Sequence, residues 1–158
     1  MEERRVQPRP RQSKAVIKVS KTREFAASID RIWNMISNLR NEKRYWPLIK
    51  DSKILKRTAN TIEREATILR GPLGDVKSVQ TLSMVPKKSI TLRMIQGPLI
   101  GTRKIIIGSL GSNRTRVEII WEFELQGIPR FAESFVKDRI SRVTEDALSQ
   151  MAKETEQP

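Results

Sequence analysis

Apolar residues recur at two different periods along this chain, and the periods divide it into a helical end and a strand-rich body. Val136, Ile140, Val143, Ala147 and Met151 follow helical spacing, with Asp138, Arg142, Glu145 and Ser149 on the opposite face. The pattern predicts one long amphipathic helix over residues 127–153, about 35 Å long at the usual rise per residue. Gly127 interrupts the preceding strand, and Pro129 suits a first helical turn, where its missing N–H has no intrahelical partner anyway. A helix with a single apolar stripe needs a surface to bury it. The residues before it supply one, because almost all of them read as β-strand.

The first strand is expected over 15–26, with Val16, Ile17, Val19 and Phe25 among charged residues. Ser28 can cap a short helix carrying Ile29, Ile32, Trp33, Ile36 and Leu39, and a loop or broken second helix over 38–47 stops at Pro47. Six strands follow, over 48–57, 61–70, 75–85, 89–95, 103–110 and 115–125. Their connections are mostly short, so consecutive strands are antiparallel neighbours. In the last strand Val117, Ile119, Trp121, Phe123 and Leu125 share one face, while Glu118, Glu122 and Glu124 share the other. These carboxylates read as surface groups facing cations such as Lys18 or Lys104. Antiparallel order places the turns near 59, 87 and 112 at one end of the sheet, beside Lys56, Arg57, Lys87, Lys88, Arg114 and Arg116. The other end carries two similar loops, Gly71, Pro72, Leu73 and Gly74, then Gly97, Pro98, Leu99, Ile100 and Gly101. Their apolar tips either close over a mouth or pack on the long helix.

Composition narrows the chemistry. The 158 residues suit one domain, which we bound at 15–156 behind a basic arm over 1–14. Cysteine and histidine are both absent, so disulfides, thiolate metal sites, thiol nucleophiles and imidazole bases are excluded. No cofactor or metal site is expected. No apolar run reaches the roughly 20 residues of a membrane span, and the N-terminus has no apolar signal core, which makes a cytoplasmic protein the default. The formal charge of +13 fits either a solvated surface or an anionic partner such as RNA, the ribosome or an anionic membrane. Arg40, Lys43 and Arg44 beside Tyr45 and Trp46 combine cations and rings as nucleic-acid stacking sites do, although such rings more often anchor a segment to a core.

Strand, short helix pair, six antiparallel strands and one long helix is the helix-grip order. The segment from Phe25 to Asn38, with an apolar residue followed by Trp33 on its first helix, resembles the opening of START-like (SRPBCC) proteins. The Gly97–Pro98 step, the Asn113–Val117 turn and the final helix extend the resemblance over residues 16–151. The most similar branch is the polyketide cyclase/dehydrase and lipid-transport group, which includes coenzyme-Q-binding relatives. The resemblance implies an α+β fold in which a curved seven-stranded antiparallel sheet wraps the helix, with an apolar cavity between them. It also implies that Gly71–Gly74 and Gly97–Gly101 act as lids, as the corresponding loops do in the plant hormone receptors of the superfamily. The loop sequences differ from those receptors, so hormone reception is not carried over.

The leading expectation is therefore a non-catalytic carrier or sensor of a hydrophobic small molecule: a lipid, isoprenoid, quinone or polyketide. Strand phase points Ala66, Ile68, Leu82, Met84, Leu92, Met94, Ile107, Ile119, Trp121 and Phe123 inward, to meet Phe135, Ile140, Val143 and Ala147 from the helix. Arg64 and Gln80 share that phase and can meet a polar head, unless a bulge turns them to solvent. Two other classes compete: a basic adaptor for RNA, ribosome or membrane, and a polyketide cyclase/dehydrase-like enzyme, for which no catalytic constellation stands out.

Overall fold

The computed structural model describes residues 16–69 and 74–156. Strand β1 (Ile17–Phe25) leads into α1 (Ile29–Ile36), a 3-10 turn over Leu39–Asn41 and the one-turn helix α2 (Glu42–Tyr45). The sheet continues through β2 (Ile49–Arg57), β3 (Thr61–Leu69), β4 (Asp75–Val85), β5 (Ser89–Gln96), β6 (Leu99–Gly111) and β7 (Arg114–Leu125). A second 3-10 turn, Arg130–Ala132, then enters α3 (Glu133–Thr155). The seven strands pair antiparallel in the order β1-β7-β6-β5-β4-β3-β2, so the first strand closes onto the last and the helical excursion carries the chain to the far edge. The sheet curves around α3 in a helix-grip arrangement. Register shifts in β2 and between Val79 and Gln80 supply local bending, as bulges do.

Each boundary has a local cause. Ser28 caps α1 by accepting from the Arg31 amide at 3.2 Å, and Gly127 leaves β7 at φ +66. The long helix starts at Glu133, six residues after Gly127, because Pro129 caps the 3-10 turn rather than α3 itself. The second apolar loop is much shorter than its sequence suggests. Leu99, Ile100 and Gly101 are the first residues of β6, paired with Leu125, Glu124 and Phe123, which leaves only Gly97 and Pro98 between strands. Gln126 donates its amide to the Pro98 carbonyl at 2.9 Å, tying that turn to the end of β7. Gly71, Pro72 and Leu73, and the arm over 1–14, lie outside the described residues.

The core lies between the sheet's concave face and α3. Phe25, Ile32, Leu82, Leu92, Val117, Ile119, Phe123 and Met151 are almost completely buried. Helix α3 turns Ile140, Thr144, Ala147, Leu148, Met151, Ala152 and Thr155 inward. The two threonines fit because their hydroxyls donate one turn back, to the Ile140 carbonyl at 2.6 Å and the Met151 carbonyl at 2.9 Å. Phe135 does not join this face. It stands five residues before Ile140, about 140° round the helix, and remains 62% exposed.

Among the described residues, the basic end of the sheet is partly neutralised. Lys87 pairs with Asp30 at 2.8 Å, and Arg114 pairs with Glu24.

Candidate functional site

The inward phases of six strands converge with α3 on a cavity of about 70 Å³. Trp46, Leu48 and Ile49 bound it on one side, and Ile68, Ser78 and Gln80 come from β3 and β4. Leu92, Met94, Leu99 and Arg103 line it from β5 and β6 and Pro98 from the turn between them, with Trp121 from β7 and Ile140 and Val143 from α3. The wall is almost wholly apolar. Pro98 and Leu99 place one side of the cavity at the sheet end that carries the Gly97–Pro98 turn.

Buried polar groups gather beside it. Arg64, 1% exposed, donates through Nη1 and Nη2 to both carboxylate oxygens of Glu42, at 2.5 and 2.9 Å. Its Nε donates to Gln80 at 2.9 Å, and the Gln80 amide donates to the Ser78 hydroxyl at 3.1 Å. One face of the guanidinium fork is thus matched by a carboxylate and its remaining edge by an amide oxygen, the bidentate geometry in which arginine is strongest.

Arg103 is held differently. It is 4% exposed, and its Nε has no hydrogen-bond partner among the described residues. The guanidinium carbon lies 4.3 Å from the Trp46 ring centre and 5.6 Å from that of Trp121, within cation–π range of both. The two indoles meet edge to face at 5.8 Å. Burial pulls the Arg103 pKa down to about 10; Glu42 opposes that shift and Arg64 adds to it. It remains protonated at neutral pH. The indole N–H of Trp121 donates to Thr144 at 3.0 Å, so α3 fixes the second ring. Tyr45 donates its hydroxyl to Glu154 near the end of the same helix.

Residues 16–156 match the family model for polyketide cyclase / dehydrase and lipid transport. The chain belongs to this family. Its fold matches the Zhui aromatase/cyclase of a Streptomyces species with a TM-score of 0.76, at 13% identity over 90% of this chain and 94% of that one. A START superfamily protein of Mycobacterium smegmatis matches with a TM-score of 0.71, at 19% identity over 89% of this chain and 97% of its own. No curated protein matches the sequence.

Within this family fold, nine of the residues expected inside or over a cavity line this one: Ile68, Gln80, Leu92, Met94, Pro98, Leu99, Trp121, Ile140 and Val143. Ala66, Ile107, Ile119, Phe123 and Ala147 are packed core instead, and Leu82 faces a smaller void of about 20 Å³. Met84 is half-buried at the margin of the core. Arg64 points inward as its phase implies, but Glu42 and Gln80 occupy its donors. Tyr45 and Trp46 are buried at 3% and 5% exposure, so they offer no stacking platform for nucleic-acid bases. Sequence reasoning missed Arg103, Glu42 and Ser78. A signal existed for two of them: Arg103 shares strand phase with Ile105 and Ile107, and Ser78 with Gln80 and Leu82.

Proposed function

We propose that the protein binds a hydrophobic small molecule between the sheet and α3, as a cytoplasmic carrier or sensor that does not transform it. The observation that carries this reading is the apolar cavity against Leu92, Met94, Leu99, Trp121, Ile140 and Val143, between the sheet and α3. Binding is favoured over turnover by the wall itself: among the described residues lining it, Arg103 is the one ionisable side chain, and no carboxylate stands ready to take a proton. Size adds a requirement. Pockets for drug-sized ligands measure roughly 300–1,000 Å³, and this cavity measures about 70 Å³. A lipid, isoprenoid, quinone or polyketide therefore enters only as the wall moves, a wall to which the Gly97–Pro98 turn contributes Pro98 and α3 contributes Ile140 and Val143.

Native mass spectrometry of the purified protein, followed by solvent extraction, tests the reading. An apolar compound should co-purify, and Val143→Phe, which fills the cavity from α3, should abolish its retention while the protein stays folded. A protein that emerges empty and binds no apolar probe would overturn it.

A further inference from the structure

We propose that the cavity selects a guest carrying one anionic oxygen group, such as a carboxylate, phenolate or enolate, and that this group seats on Arg103. The proposal rests on the reading of the cavity as a binding site and names the class of molecule it takes.

Among the described residues three ionised side chains are buried: Glu42, Arg64 and Arg103. Counting −1 for Glu42 and +1 for each arginine leaves a net +1 in the interior. Glu42 has both oxygens engaged by Arg64, so the surplus cation is Arg103. A desolvated charge is costly unless an opposite charge or hydrogen-bond acceptors meet it. Two indole faces recover part of that cost through cation–π attraction, but aromatic faces do not satisfy N–H donors in the guanidinium plane. The unpartnered Nε is one such donor, and it is buried.

Position supports the assignment. In register, Arg103 sits opposite Trp121 on one side and Leu92 on the other, on the concave face of the sheet. Its side chain borders the main cavity, whose lining holds no carboxylate, and also the smaller void beside Leu82 and Met151, which Glu42 lines as well. The Ser78 hydroxyl on the same cavity wall accepts from Gln80 and keeps its own proton for a second acceptor. Apolar walls with one cation and one hydroxyl fit a molecule that is greasy along its length and anionic at one point. Such a wall disfavours the same skeleton with a neutral or cationic head.

Octanoate and octan-1-ol share a chain and differ in the head, so they serve as the paired probes, titrated at pH 8 with tryptophan fluorescence and calorimetry as readouts. The wild-type protein should bind octanoate at least tenfold more tightly than octan-1-ol. Arg103→Met should erase that preference while keeping octan-1-ol binding, Arg103→Lys should retain part of it, and Val143→Phe should lose both ligands. Equal affinity for the two heads in the wild type, or an unchanged preference in Arg103→Met, overturns the proposal and leaves the apolar cavity standing. Octanoate that still binds Val143→Phe as tightly as wild type is held on the surface, which also overturns it. Failure of both probes in the wild type removes the binding-site reading itself. The wild-type comparison needs no variant, so a misfolded Arg103→Met does not rescue the idea.

Discussion

Two arginines face the same interior, Arg64 from β3 and Arg103 from β6, and their partners make them opposites. Arg64 is locked by Glu42 and Gln80, whereas Arg103 rests between Trp46 and Trp121. Removing one partner of a buried ion pair strands the other charge, at a cost of about 3–5 kcal/mol. Arg64→Met should therefore lower the urea-unfolding free energy by that order, and adding Glu42→Gln should restore part of the loss. Arg103→Met removes an unpaired buried charge instead, and should leave stability unchanged or raised. A second residue-scale test uses Tyr45, the chain's single tyrosine. Burial raises its pKa above the ordinary value of 10.0, and the hydrogen bond to Glu154 raises it further. The unfolded chain thus ionises first, so Tyr45 stabilises the fold fully below about pH 10 and that contribution is lost as pH rises past it. Ultraviolet titration should show no tyrosinate step near pH 10 in the folded protein and a normal one in urea. Tyr45→Phe should lose stability less steeply than wild type over the same alkaline range.

The elements were legible wherever period and punctuation agreed. The span from Asp75 to Val85 and the alternation from Val117 to Leu125 could be read directly, because one face of each strand is buried and register then has a single solution. The stretch from Leu99 to Thr102 could not. Gly101 breaks the alternation, and its role is steric: a Cβ there would come within 2.1 Å of the Glu122 carbonyl oxygen at a backbone φ of +148. The glycine that looks like loop flexibility in the sequence is the residue that lets β6 and β7 approach. Gly101→Ala should cost about 1–3 kcal/mol or more through overpacking and backbone strain, read from the denaturation midpoint. The start of α3 was displaced for a related reason, since a proline signal marks the first turn of whichever helix type follows it, here a 3-10 turn.

At the scale of the whole molecule, α3 joins a firmly held half to a lightly held one. Its C-terminal half is buried and tied down by Tyr45 to Glu154, by the Ala26 amide to Glu156 and by Lys21 to Glu145. Its first turns leave Phe135, Lys137, Asp138 and Arg139 exposed, ahead of the cavity-lining Ile140 and Val143. Amides from Ser134 to Asp138 should exchange with solvent orders of magnitude faster than those from Leu148 to Met151, and a bound apolar guest should slow them. Uniform protection along the helix would contradict this division. No helix among the described residues is long and apolar enough to cross a membrane. The sequence by itself determined the antiparallel strands, the long terminal helix and the faces they turn inward, because period and turn chemistry are local properties. Only the tertiary structure decided which inward residues pack as core and which border empty space, that Glu42 claims Arg64, and that Arg103 is left with two rings and an open donor. Those outcomes depend on distances between residues far apart in the chain, which no local pattern encodes.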